Sequence, residues 1–116
     1  MIEKYLNKIV KVKIDRPLNS LHPHFKNLKY EVNYGFIPNT LAGDNEEIDA
    51  YILRVNKPLK TFVGKVVGII KRTNDVEDKL VVMPKDNSNN VTIEEIRLAT
   101  NFQEKYFNST ILIDNN

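Results

Sequence analysis

The sequence contains no cysteine. That absence removes disulfides, thiolate metal sites and cysteine nucleophiles together, and it is compatible with a reducing compartment. No apolar run approaches the ~20 residues that a membrane helix needs, so no membrane span is expected. The N-terminal stretch MIEKYLNKIVKVKID carries Glu3 and Lys4 ahead of an alternating pattern. The apolar core and small-residue cleavage site of a secretory signal are missing from it, and a cytoplasmic address is expected by default. Neither sign of charge dominates: 17 basic and 15 acidic residues give a net +2, too balanced for the electrostatic footprint of a nucleic-acid binder. What remains is a chain of 116 residues, 41% hydrophobic, with a mean hydropathy of -0.39. Those values fit one globular domain spanning residues 1–116.

The apolar periodicity is mostly of period two. Val10, Val12 and Ile14 alternate with Lys11, Lys13 and Asp15, the pattern of a strand with one buried face, and Pro17 stops it. Residues 18–29 contain His22-Pro23-His24 and no clear period, which reads as a loop or a short irregular hairpin arm. Tyr30, Val32 and Tyr34 alternate as a second strand running into Gly35. Further strands are predicted over residues 49–55, 62–71 and 79–83, with Gly64 and Gly68 marking bulges or barrel bends in the longest. Thr92-Ile93-Glu94-Glu95 has the spacing of a helix capping box. Ile93, Ile96, Ala99, Phe102 and Tyr106 follow on one helical face, and Asn108-Ser109 ends the helix. Ile111-Leu112-Ile113 is placed as a short edge strand. The whole predicts a mainly β protein with one or two helices. A small closed barrel fits, the five-stranded OB-like type being one candidate, although pattern alone leaves other all-β arrangements open.

The chemistry concentrates in acids. Asp44, Glu46, Glu47 and Asp49 stand within six residues. On an extended segment, residues two apart point the same way, so Asp44 and Glu46 converge. Like charges so close repel one another unless a cation sits among them. The alternative is a solvated acidic turn, since Gly43-Asp44-Asn45 is turn chemistry. Repulsion of this kind predicts that Asp49→Ala loses metal binding yet gains thermal stability. A second acidic group, Asp75, Glu77 and Asp78, lies between the fourth and fifth strands and leads into Lys79, although hairpin turns are often acidic for ordinary reasons. Hard oxygen donors with no His or Cys nearby select Mg²⁺ or Mn²⁺ over zinc.

Asn33-Tyr34-Gly35-Phe36-Ile37-Pro38, leading into Asp44-Asn45-Glu46-Glu47-Ile48-Asp49, resembles the family I soluble inorganic pyrophosphatases. Their signature reads acidic, any residue, acidic, proline, apolar, aspartate, after an asparagine-tyrosine-glycine-aromatic element. Glu46 in place of aspartate and Glu47 in place of proline are departures. The resemblance implies a five-stranded barrel, Mg²⁺-dependent hydrolysis of pyrophosphate or a related small phosphoanhydride, and self-association into homo-oligomers. It implies Asp44, Asp49, Glu77 and Asp78 as metal ligands, with Asp75 or Asn74 at a further metal position and Asp15 as a shorter substitute for a glutamate. Glu46 falls at the general-base position. Tyr34 and Lys79 fall where the family stabilises charge on the phosphates, and Tyr30 and Tyr106 match further site tyrosines.

The phosphate half of the resemblance is thinner. His22 stands where the family has an arginine, Phe107 replaces a lysine beside Tyr106, and a lysine of the preceding hairpin has no counterpart. Arg16, His24 and Lys26 are the candidates to compensate. Tyr106 also belongs to the apolar stripe, which leaves a core role open. The helix that follows this segment in longer members is missing, so the chain looks like a short, divergent member. Two rival readings stand beside the hydrolase. One is a non-catalytic phosphate-, nucleotide- or metal-binding module on the same fold. The other is an OB-type nucleic-acid binder, which needs a basic groove with stacking aromatics and is opposed by the concentrated acids.

Overall fold

Six strands and one α-helix follow in the order β1 (Ile9–Arg16), β2 (Asn33–Ile37), β3 (Ile48–Ile52), β4 (Thr61–Arg72), β5 (Lys79–Met83), α1 (Ile93–Glu104) and β6 (Ser109–Ile113), after a 3₁₀ turn at Ile2–Tyr5. The computed structural model describes residues 2–41, 46–73 and 77–114. The strands neighbour one another as β1-β2-β3-β5-β4, and β4 returns to β1, closing a five-stranded barrel. Among the described residues the β3–β5 pairing alone is parallel. The length of β4 makes the closure possible. One edge pairs β5, while the other is shared end to end by β1, at Thr61 to Lys65, and by β6, at Gly68 to Arg72. The short apolar tail at residues 111–113 is therefore an edge strand, as its composition predicts. No helix among the described residues is long and apolar enough to cross a membrane.

Period two sorts the side chains into two cores. Val12, Ile37, Ile48, Ala50, Ile52, Val66, Ile69, Leu80 and Val82 fill the barrel. Tyr30, Tyr34, Tyr51, Leu53, Val67, Ile70, Val81 and Met83 form a second cluster with Ile96 and Phe102 of α1. β5 is buried at every position, because its outer face lies under the helix while its inner face lies in the barrel.

Two glycines make close approaches. A Cβ on Gly35 would lie 1.9 Å from the Lys13 carbonyl oxygen, so β1 and β2 meet only because it is absent. The β4–β5 register shifts between Val66 and Gly68, the predicted bulge. A Cβ on Gly68 would lie 2.8 Å from Ile96 Cδ1, where α1 seats.

Several boundaries differ from the pattern. β2 begins at Asn33 rather than Tyr30. The residues before it double back as a hairpin arm, with Asn19 and His22 N–H donating to the Tyr30 and Leu28 carbonyls and Tyr30 N–H donating to Ser20. Tyr30 alternates with Tyr34 because both face the outer cluster, without sharing a strand. β3 stops at Ile52, two residues before Arg54, whose φ is 65°. On α1, the Thr92 hydroxyl accepts the Glu95 N–H at 3.0 Å, as a capping box requires. The Glu95 carboxylate is turned to Arg54 instead, taking bonds of 2.9 Å from Nε and 2.8 Å from Nη2. The predicted apolar stripe is also too long. Ile93 is 41% and Tyr106 66% exposed, and the buried face runs through Ile96, Thr100, Phe102, Gln103 and Glu104.

Gly35→Ala is expected to cost at least about 2 kcal/mol, since a methyl overlapping backbone oxygen forces the strands apart. The urea midpoint of unfolding measures it, and a midpoint equal to wild type would show that β1 and β2 separate freely.

Candidate active site

Strand register assembles the site on the outer face of the barrel. Asp49 on β3 stands beside Lys79 on the parallel β5 and opposite Phe36 on β2, while Tyr34 pairs with Tyr51. Asp49 Oδ2 accepts the Tyr34 hydroxyl at 2.8 Å and the Lys79 ammonium at 2.7 Å. The same ammonium donates to Glu77 Oε1 and lies 5.7 Å from the centre of the Tyr34 ring. The Lys79 side chain is only 2% exposed. An ammonium buried so deeply costs several kcal/mol unless it is paired, and here two carboxylates pair it. Burial, and then the Asp49 charge, hold the Tyr34 hydroxyl well above the usual tyrosine range, so Tyr34 remains a proton donor to Asp49. At Asp49 this pairing offsets the repulsion read from the sequence. Asp49 compensates a buried cation, and Asp49→Ala would strip Lys79 of a partner rather than relieve crowding.

A second buried network lies beside this one. Arg72, at the end of β4, donates from Nε at 3.1 Å and from Nη2 at 2.7 Å to the Glu104 carboxylate. Its guanidinium lies 3.6 Å from the centre of the Phe107 ring. The Tyr51 hydroxyl donates to Glu104 at 2.5 Å and accepts from Gln103 at 2.7 Å, and Gln103 in turn accepts from the Tyr30 hydroxyl at 3.1 Å. Burial acts to lower the Arg72 pKa, but pairing with Glu104 outweighs it and leaves the guanidinium more basic than usual. Burial and Glu104 together raise the Tyr51 hydroxyl. A carboxylate in the last turn of a helix opposes the macrodipole, and Arg72 offsets that cost. Sequence reasoning missed Arg72, Gln103 and Glu104. The available signal was polar residues at positions where the strand and helix patterns call for apolar ones.

These groups open onto a cleft of about 1030 Å³. Of the residues expected at the site, the cleft is lined by Asp15, Arg16, His22, Tyr30, Tyr34, Glu46, Asp49, Glu77, Lys79 and Tyr106; Lys26 also lines it. Asp15 and Arg16 are sequence neighbours that a regular strand would send to opposite faces. The β1–β2 register shifts between Ile14 and Arg16, and such an irregularity re-aims side chains. Phe25, Phe36, Glu47, Arg72, Gln103 and Phe107 join the lining without having been expected there. His24 does not line it, and neither does Asp78. Asp78 stands between two residues that do line the cleft, and its surroundings are different: burial raises its pKa, and the charges of Lys71, Glu3 and Lys79 act on it. Asp44 and Asp75, with Asn74, lie outside the described residues.

Among the described residues no group of three His, Cys, Asp or Glu side chains is arranged to hold a metal ion. The donor chemistry fits a hard divalent cation all the same. Asp49 and Glu77 already converge on one cation, the Lys79 ammonium, and Asp15, Glu46 and Glu47 line the same cleft.

Fold and site together define a small closed β-barrel with a carboxylate, lysine and tyrosine cleft on its outer face. A family model described as inorganic pyrophosphatase matches residues 1–111, and the chain belongs to that family. Among relatives, it is 44% identical over 63 residues to an inorganic pyrophosphatase of Neisseria meningitidis, a match covering 50% of this chain and 35% of that protein. It is 43% identical over 60 residues to one of Haemophilus influenzae, covering 47% of this chain and 34% of the relative. The matched stretch thus spans about a third of those relatives. The structure of an inorganic pyrophosphatase from Ehrlichia chaffeensis superposes with a TM-score of 0.72 at 21% identity, over 93% of this chain and 87% of that one. One from Neisseria gonorrhoeae gives 0.67 at 22% identity, over 86% and 74%. At these identities the structures speak for the fold.

The arm over the cleft depends on one imidazole. His22 Nδ1 accepts the N–H of His24 at 3.0 Å and of Phe25 at 3.2 Å, which requires that nitrogen to be unprotonated. Burial, then Arg16 and His24, lower the His22 pKa below the ordinary histidine value. A lowered folded pKa means that the folded state binds fewer protons. The stability due to neutral His22 is therefore fully present above the unfolded pKa of about 6.5 and is lost as pH falls below it. Hydrogen-exchange protection of the His24 and Phe25 amides is expected to fall in that acid range, and His22→Gln should abolish the pH dependence. Protection that is flat with pH in wild type would remove the imidazole from the role.

Proposed function

We propose that the chain, acting as one domain over residues 1–116, hydrolyses inorganic pyrophosphate, or a closely related small phosphoanhydride, to phosphate in the presence of Mg²⁺ or Mn²⁺. The observation that carries the reading is the convergence of Tyr34, Asp49, Glu77 and Lys79 in one cleft, in a chain of the pyrophosphatase family. Asp49 and Glu77 would hold the metal together with Asp15 and, outside the described residues, Asp44 and Asp75. The metal when bound supplies a water of lowered pKa and neutralises phosphate oxygens.

Glu46 takes the proton of the attacking water. That water forms the new P–O bond as the bridging P–O bond breaks, giving two phosphates. Tyr34 donates from a hydroxyl that stays protonated, and Lys79 supplies a charge to the departing phosphate. Arg16, His22 and Lys26 border the cleft on the arm side and bind phosphate oxygens in place of the family's missing cations, with Tyr30 and Tyr106 as hydroxyl partners. A cytoplasmic location and self-association belong to the same proposal. Nucleic acid and membrane do not, since the cleft presents carboxylates where a polyanion without metal would be repelled.

Phosphate release from pyrophosphate with Mg²⁺ or Mn²⁺, and none with chelator, is the expected result. Glu46→Gln should lower turnover by about 10² to 10⁴ with little change in KM, because the amide keeps its shape and cannot accept the proton. No release at high enzyme with either metal would end the hydrolase reading. Calorimetric binding of metal-pyrophosphate without turnover would then select a binding module.

A further inference from the structure

We propose that Lys79 is a resident counter-cation that a divalent metal displaces from Asp49 and Glu77, so that metal loading is what frees its ammonium for the substrate. The inference rests on the pyrophosphatase reading and adds an order of events to it.

The argument starts from one oxygen. Asp49 Oδ2 already receives two donors, the Tyr34 hydroxyl at 2.8 Å and the Lys79 ammonium at 2.7 Å, and the Lys79 ammonium also takes Glu77 Oε1. An ion that uses these carboxylates therefore meets a unit positive charge at hydrogen-bond distance, in a site where that charge is only 2% exposed. Water screens little there, and a dication and an ammonium so close repel strongly. Of the two donors on Asp49 Oδ2 the phenol hydroxyl brings no formal charge and the ammonium a full one, which makes Lys79 the partner that must yield. Its stem of four methylenes allows the ammonium to swing while the backbone stays in the β5 ladder. The cleft that receives it is lined by Arg16, Lys26 and His22, the groups facing an incoming phosphate.

Two consequences follow. Without metal, the Lys79 charge is neutralised inside the protein and gives little to an anion. With metal, the same charge turns outward, so metal binds before phosphate, and each promotes the other.

Lys79→Met keeps an unbranched, buried side chain and deletes the charge. Calorimetric titration with Mg²⁺ alone, with no phosphate present, is expected to show a dissociation constant at least about tenfold lower than wild type. Lys79→Arg, which keeps the charge, should show no such gain. A folded Lys79→Met with unchanged or weaker Mg²⁺ affinity overturns the inference. If wild type still binds Mg²⁺ and hydrolyses pyrophosphate, the proposed function stands without it. If wild type and variant both fail to bind Mg²⁺, and no pyrophosphate is hydrolysed, both fall.

A measurement on the unaltered protein covers the case in which the variant does not fold. Acetic anhydride labelling read by mass spectrometry should leave Lys79 protected in chelator and label it several-fold faster in Mg²⁺, relative to the exposed lysines. Labelling of Lys79 that ignores Mg²⁺ overturns the displacement.

Discussion

The buried ammonium of Lys79 sets the terms for everything around it. It can sit at 2% exposure only because the parallel register of β3 and β5 puts Asp49 beside it and because Glu77, two residues upstream on the same face, reaches it as well. Remove either carboxylate and a buried charge keeps only one of its two partners, which is more costly than losing an exposed pair. The site's acids therefore have a structural task before any ligand arrives. In this light an acidic cluster need not be a strained one, because the cation that relieves it can be part of the chain.

That constraint explains why the site lies outside the barrel rather than in it. The interior is filled by aliphatic side chains from all five barrel strands. The outer face of β2, β3 and β5 carries the complementary set, and α1 covers part of it with Ile96 and Phe102. At the open end the helix contributes Gln103 and Glu104, tied through Tyr51 to β3, through Tyr30 to the hairpin arm and through Arg72 to β4. Buried polar networks fix geometry when every member is satisfied. This one fixes the end of α1 and hence the wall that carries Tyr106 and Phe107.

Much of this was legible in the residues. Alternation located β1, runs bounded by turn residues located β4 and β5, and the Thr92 cap located α1; the Asn33 to Pro38 element with the acids after it pointed to the family, and Tyr34, Glu46, Asp49 and, from the second acidic turn, Lys79 do line one cleft. What escaped was whatever depends on partners distant in sequence. Tyr30 looked like a strand residue because its periodicity matches Tyr34, while its backbone is paired with the arm. Asp78 was read with Glu77 and Lys79 because it sits between them, yet the cleft that both of them line does not include it. Arg72 drew no reading from the sequence, because its partners Glu104 and Phe107 are brought to it by helix packing. Glu95 looked like half of a capping box until Arg54 claimed it.

The thin phosphate half of the site then has an electrostatic reading. Asp15, Glu46, Glu47, Asp49 and Glu77 put carboxylates on the cleft, against the cations of Arg16, Lys26, Arg72 and Lys79. Two of those cations are committed within the protein, Arg72 to Glu104 and Lys79 to Asp49 and Glu77, and Arg16 lies 3.7 Å from Asp15. Arg72 lines the cleft with its guanidinium against the Phe107 ring and bonded twice to Glu104. An anion as dense as pyrophosphate would meet a surface whose acids outweigh its available bases. Under the proposed activity, divalent cations would thus be a condition for the substrate to bind as well as for the water to react, because a bound dication reverses the sign of the potential that these carboxylates set.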